Sequence, residues 1–237
     1  MSMIRLIILV VAKSFWQMIS LASIKNSGAS EGDTGMKVIH SILGELETNC
    51  YILFDEDSRE AAVIDPADDA EGIRDTLEGL GASLRYILLT HGHRDHTLAA
   101  PALHALYPDA GVYIHAADKG KVGIFRYPME ELIGADLKFY AEGDTLPLGS
   151  EEIAVIETPG HTGGSVCLRC GSLLFTGDTL FAGSMGRVDL PGAQPEKMLG
   201  SLAKLKRLPG DYEVYPGHME TSTLERERAG NLYLRML

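Results

Sequence analysis

The sequence predicts one domain of the α/β type, and two observations carry that reading. Strand-like and helix-like segments alternate along most of the chain in two similar halves, and 237 residues with 45% hydrophobic content suffice to bury a substantial core. A third regularity bears on function: β-prone stretches repeatedly stop at turns that carry His or Asp.

From Lys37 onward, Val38–Ile42, Cys50–Phe54 and Ala61–Asp65 read as short strands separated by polar turns, an antiparallel meander. A helix is expected from about Asp69 to Leu80, with Ile73, Leu77 and Leu80 spaced for one face and Gly81 as its stop. Leu84–Leu89 is continuously apolar at its end, as in a strand covered on both faces. The order then repeats with a helix over 97–107, a strand Val112–His115 and an irregular stretch around 116–140 that could form a lid or a wall. A strand Glu152–Glu157, a hairpin over 165–176, a helix over 195–207, a strand Tyr212–Tyr215 and a terminal helix from about Ser222 complete the chain.

The first 35 residues stand apart. Leu6–Ala12 resembles the short apolar core of an export signal, with Arg5 before it and Ser20-Leu21-Ala22 as a possible cleavage site, but Lys13 interrupts it. It is too short to span a bilayer, which takes about 20 apolar residues. A polar, glycine-rich linker over 26–35 follows, so Met36 reads as close to the native start and residues 1–35 as an extension, with an export signal in 1–22 as the competing reading. Residues 36–237 are then the folded domain.

Charge and cysteine usage narrow the function. With 21 basic against 33 acidic residues the formal charge is −12, which opposes binding to a phosphate backbone, so no nucleic-acid partner is expected. Cys50, Cys167 and Cys170 form no disulfide framework and suit a reducing compartment, the cytoplasm. Cys167-Leu168-Arg169-Cys170 has the spacing of half a zinc knuckle, but no second pair follows and a structural role is preferred. Nothing in the sequence specifies an oligomeric state.

The chemistry is concentrated in Thr90-His91-Gly92-His93-Arg94-Asp95-His96, directly after the apolar strand. Histidine nitrogen and carboxylate oxygen are ligands for zinc-like ions, and an extended backbone would send the His91 and His93 imidazoles to the same side. Asp95 and His96 are adjacent and cannot share that alternation, so a second ion is the economical explanation. A polar loop whose histidines cap a helix would suit one His better than this set. Thr158-Pro159-Gly160-His161-Thr162, Phe175-Thr176-Gly177-Asp178-Thr179 and Tyr215-Pro216-Gly217-His218 share the same setting, each with a glycine just before the candidate ligand. Singly, His161 or His218 would be a surface or capping histidine and Asp178 a helix N-cap. Together with the first run they supply seven ligands, the number two ions need if one carboxylate bridges.

On these motifs the chain resembles a metallo-β-lactamase-fold hydrolase, and within that superfamily the short glyoxalase II (hydroxyacylglutathione hydrolase) type, over about Met36 to Leu237. The resemblance implies an α+β fold, an αββα four-layer sandwich with metals at the strand edges. It assigns His91, His93 and His161 to one metal, Asp95, His96 and His218 to a second, and Asp178 to both. It also matches Asp65 to a position that supports a ligand histidine, with a plain turn residue as the equal alternative. The implied cofactors are two divalent metal ions, zinc first and iron or manganese as alternatives.

Two ions about 3.5–4 Å apart drive a shared water towards hydroxide and polarise a substrate carbonyl. A metal-bridging hydroxide is therefore the expected nucleophile, with Asp95 as the catalytic group that orients it or takes its proton. A small-molecule thioester is the expected substrate, because thiolate leaves readily and the metals stabilise the oxyanion. Longer glyoxalase II enzymes add a helical C-terminal extension, whereas only 19 residues follow His218 here. Arg187, in a loop resembling the short subgroup and the persulfide dioxygenases, would either bind a substrate carboxylate or pair with Asp189 to order the loop. A mononuclear-iron persulfide dioxygenase, a tRNA-processing nuclease and a non-catalytic metal-binding module are the alternative functions.

Overall fold

The computed structural model describes residues 24–25 and 35–237. The export-signal-like segment and the linker through Thr34 lie outside the described residues.

Strands β1 (Ile24–Lys25), β2 (Met36–Leu43), β3 (Thr48–Asp55) and β4 (Glu60–Ile64) pair antiparallel in order, so the expected meander forms, with β1 as a two-residue addition on its edge. Helix α1 (Ala70–Leu80) then returns the chain to β5 (Ser83–Leu88), which lies parallel to β4. The Asp69 side chain accepts a hydrogen bond from the Gly72 amide at 3.0 Å and Gly81 ends the helix at φ 61°, a cap pair that defines both boundaries. After the short helices α2 (Arg94–Thr97) and α3 (Ala100–Leu106), β6 (Gly111–His115) extends the parallel run. Helix α4 (Met129–Ile133) and β7 (Leu137–Tyr140) complete the first sheet, which has seven strands in the order β1 to β7.

The second sheet starts with β8 (Thr145–Leu148), β9 (Glu151–Glu157), β10 (Val166–Cys170) and β11 (Leu173–Gly177). A small ribbon, β12 (Leu180–Phe181) with β13 (Ser184–Met185), and helix α5 (Pro195–Lys206) follow. Then β14 (Glu213–Pro216) lies parallel to β11, and β15 (Ser222–Thr223) closes a six-stranded sheet in the order β15-β14-β11-β10-β9-β8. Helices α6 (Leu224–Gly230) and α7 (Leu232–Arg235) end the chain.

Side chains alternate across a strand, and here both faces of both sheets are covered. In β3, Ile52 and Phe54 pack outward against Ile73 and Leu77 of α1, Leu103 of α3 and Met129 of α4. Tyr51 and Leu53 point inward and meet Val155, Leu168 and Phe175 of the second sheet. The outer face of the second sheet, with Cys167, Leu174 and Val214, packs on Met198, Leu202 and Leu205 of α5 and on Leu224 and Leu234. The result is the α+β, αββα layering that the resemblance implies.

Three departures from expectation have local causes. The single helix over 97–107 is two helices, because Pro101 has no amide to donate to the Thr97 carbonyl, so one helix ends at Thr97 and the next begins at Ala100 with Pro101 in its first turn. The terminal helix is interrupted at Asn231, which leaves helical geometry at ψ 120° and turns its side chain to the Tyr233 amide, 3.0 Å away. The irregular stretch 116–140 ends in β7, and β8 follows it; both are short, and β8 tolerates Pro147 because it pairs only with β9 at the sheet edge. Cys167 and Cys170 face opposite sides of β10, into different packing layers, so they cannot share an ion. Both thiols are buried and pushed up to about 12 by that burial, consistent with the structural role.

Candidate metal centre

Five of the sequence-predicted ligands sit just past a strand or in the loop that follows, and Asp95 and His96 lie in the short helix α2 after β5. The Thr90 carbonyl accepts from the Val166 amide at 2.9 Å, tying the first ligand run to the second sheet. His161 lies in the loop between β9 and β10, Asp178 one residue beyond β11, and His218 two beyond β14. The parallel pairing of β11 with β14 sets Asp178 and His218 side by side, with the Gly217 amide donating to the Gly177 carbonyl at 2.9 Å. The glycine at 217 is required there, since a Cβ would stand 2.4 Å from Asp178 Oδ1 and 2.6 Å from His96 Cε1.

The structure brings the seven residues into two adjoining clusters. In the first, His93 Nδ1 lies 3.1 Å from His91 Nε2 and 2.8 Å from His161 Nε2. In the second, His218 Nε2 lies 3.2 Å from Asp95 Oδ2 and 3.3 Å from His96 Nε2. Asp178 stands between them, with Oδ2 3.3 Å from His161 Nε2 and Oδ1 3.4 Å from His96 Nε2. His91 and His96 are fully buried, and Asp95 and His218 are partly exposed.

Hydrogen bonds on the far side of three of the rings, His161, His96 and His91, fix their orientation. His161 Nδ1 donates to the Arg187 carbonyl at 2.7 Å, which turns its Nε2 towards His93. His96 Nδ1 is held by Asp65 Oδ2 at 2.8 Å. Thr90 Oγ1 donates to the same carboxylate at 2.6 Å and is 3.1 Å from His91 Nδ1, which can donate to it. Asp65 thus orients His96 directly and His91 through Thr90. The Thr90 amide fills its other oxygen at 2.7 Å, so this buried, left-handed residue (φ 50°) is a hydrogen-bond anchor and not a plain turn residue.

These surroundings set the charges. Burial, reinforced by His96, His93 and His161, holds His91 well below the ordinary histidine range, and burial with His161 pulls His93 down to about 3. Both are neutral at pH 7, the form that binds metal. Burial also opposes charge on His96, but Asp178 and Asp65 outweigh it and lift the ring to about 10. Burial pushes against ionisation of Asp95 too, and is overcome by the hydrogen bond from His218 and the charge of His96, leaving the carboxyl below its usual range.

Several participants had no sequence signal. Thr48 Oγ1 donates to Asp95 Oδ2 at 3.3 Å, and Asn49 Nδ2 donates to the carbonyls of Pro216 and Met219, each at 2.9 Å, fixing the turn that carries His218. Their partners lie far along the chain, so spacing could not reveal them. Arg187 pairs with Asp189 through two hydrogen bonds of 2.7 and 2.8 Å, the loop-ordering alternative, and reaches the centre through its carbonyl.

The cluster fits a cation. Asp178 Oδ1 and His93 Nε2 are buried without a hydrogen-bond partner among the described residues, and the neutral His91 and His93 bring ring nitrogens to within 3.1 Å of one another. Unpaired lone pairs converging in a buried site are costly unless a positive charge satisfies them. Nitrogen from His and oxygen from Asp are the donors that zinc-like ions accept.

The comparisons agree with this geometry. The chain is similar to a hydroxyacylglutathione hydrolase of Gloeobacter violaceus, 35% identical over 78% of this chain and 68% of that protein. It is also similar to the "Probable polyketide biosynthesis zinc-dependent hydrolase BaeB" of Bacillus velezensis, 34% identical over 71% of this chain and 72% of the relative. Among solved structures, TTHA1623 in a di-iron-bound form superposes with a TM-score of 0.69 at 32% identity, covering 82% of this chain and 99% of that one. The family profile of the Metallo-beta-lactamase superfamily matches residues 43–218, which carry all seven clustered His and Asp residues, and the chain belongs to that superfamily.

Proposed function

We propose that this chain is a metal-dependent hydrolase of thioesters of the hydroxyacylglutathione type, with residues 36–237 as the hydrolase domain. His91, His93 and His161 would hold one divalent cation, Asp95, His96 and His218 a second, and Asp178 both, with zinc the first choice of metal. The observation that carries this reading is the position of Asp178, whose two oxygens lie 3.3 Å from His161 Nε2 and 3.4 Å from His96 Nε2, one in each cluster. The named hydrolase relatives support the substrate class and the metal.

When bound, such ions lower the pKa of a water and polarise a carbonyl. The chain's own residues supply orientation and charge. Asp95 is anionic at neutral pH, so it can accept a hydrogen bond from the attacking water, hold it in line and take its proton. The Thr48 hydroxyl donates to the same Oδ2 that faces His218 and so restrains that carboxylate. His96 is locked to Asp65 and contributes position. A thiolate leaving group needs little protonation, which suits a site where His91 and His93 are held neutral. The buried, unpaired cysteines support a reducing, cytoplasmic setting.

Metal quantification on the purified protein, coupled to turnover of S-lactoylglutathione, other thioesters and a phosphoester panel, tests the proposal. Two metals per chain and preferred hydrolysis of the glutathione thioester are expected. Two metals without thioester turnover would overturn the substrate reading. One iron per chain with oxygen uptake on glutathione persulfide would replace it with a persulfide dioxygenase.

A further inference from the structure

One buried ion pair beside the centre belongs to neither ligand cluster. Asp118 closes the single helical turn Ala116–Asp118 after β6 and is fully buried. Its Oδ2 accepts from the Gly92 amide at 2.8 Å and from Thr162 Oγ1 at 2.6 Å. Its Oδ1 accepts from the Gly164 amide at 3.1 Å and lies 2.9 Å from Nη1 of Arg126, itself only 5% exposed. Four donors therefore surround one carboxylate, which leaves it no lone pair for a metal.

The identity of those donors gives the pair its meaning. Gly92 sits between His91 and His93, and Thr162 follows His161, so one carboxylate grips the backbone or side chain next to all three residues of the first cluster. Close approach is built in at both glycines: a Cβ on Gly92 would stand 2.6 Å from the Asp118 carbonyl oxygen, and one on Gly164 2.7 Å from the Asp118 carboxyl carbon. Arg126 completes the junction. Its backbone forms an isolated antiparallel β-bridge with His93, its guanidinium donates to the Ala117 carbonyl at 3.1 Å, and a side chain at Gly192 would clash with that guanidinium. The second cluster has no contact with Asp118 among the described residues; Asp65, Thr48 and Asn49 anchor it instead.

We propose that Asp118, backed by Arg126, is a positioning residue that sets the separation of the His91–His93 segment and the His161 segment, and so the affinity of the first cluster for its metal. The inference rests on the reading that these clusters hold metal. It gives the first cluster an anchor of its own in Asp118, beside Asp65, which holds His96 directly and reaches His91 only through Thr90.

Titrating metal-free protein with cobalt(II), followed by visible absorption and with circular dichroism to verify folding, tests it. Asp118→Asn keeps the size of the side chain but turns an amide N–H₂ towards donors, so two of the four contacts fail. Affinity for one equivalent of cobalt is expected to fall about 10- to 100-fold, while the other equivalent changes less than threefold. Thr162→Val removes the hydroxyl that bonds Asp118 and Ser165 but keeps the ion pair, and a smaller loss confined to the same equivalent is expected. This milder variant decides the matter if Asp118→Asn does not fold. A folded variant that binds both equivalents like the wild type, or loses both alike, would overturn the positioning role. A wild-type chain that takes up no metal would overturn the metal reading itself, an outcome distinct from either.

Discussion

Each residue in the centre is useful because of what stands behind it. Asp95 is held anionic beside His218 and His96, and the proposed function makes it both a ligand and the group that orients water. Asp95→Ala is expected to lose the metal of the second cluster and at least 100-fold in turnover; retention of both metals and full activity would remove it from either role. The neutral histidines give a pH dependence with a defined sign. His93 is pulled down to about 3 from an ordinary 6.5 and His91 is lowered well below it, so the unfolded chain binds more protons than the folded one below pH 6.5. Their contribution to stability is complete above pH 6.5 and is lost as the pH falls towards 3. Denaturant unfolding of metal-free protein from pH 7 to 4 should show that decline, and a flat profile would contradict the assigned charges. The ligand candidates were legible in the sequence because they cluster in one motif or follow a glycine at a strand end. Asp118, Thr48 and Asn49 were not, since each works on partners that only folding brings near.

At the scale of elements, the turns are as constrained as the strands. Gly217→Ala would push a methyl group into Asp178 and His96, and is expected to weaken metal binding at least tenfold in a chelator competition assay. Gly200→Ala in α5 meets nothing within 4 Å and should leave metal binding unchanged while stabilising the helix by ~0.5–1 kcal/mol. Equal effects from the two would show that the turn has no special role. Strand positions were readable where apolar runs such as Tyr86–Leu88 fill a doubly covered sheet. The split at Pro101 and the edge strand with Pro147 were missed because both depend on how a proline is accommodated by neighbours. Arg187 was half legible: its side chain makes the loop-ordering pair with Asp189 that the sequence offered, while the carbonyl that orders His161 gave no signal.

Over the whole molecule, the layering places the strand ends of both sheets at one edge, and the ligands come from four separate segments that follow them. Layer order followed from the family resemblance, because periodicity alone gives strands and helices without saying which sheet each joins. Metal that binds only the folded state must stabilise it, so chelation should lower the melting temperature. With free metal at 100 times the dissociation constant the gain is about 2.7 kcal/mol, or roughly 5–10 °C for a chain of this size; no shift on chelation would show that the clusters are not loaded. The two-metal assignment is tested most directly by anomalous diffraction from crystals of the metal-loaded protein. Two peaks are expected, one among His91, His93 and His161 and one among Asp95, His96 and His218, with an oxygen of Asp178 at each. A single peak at full occupancy, or two peaks without Asp178 between them, would contradict it.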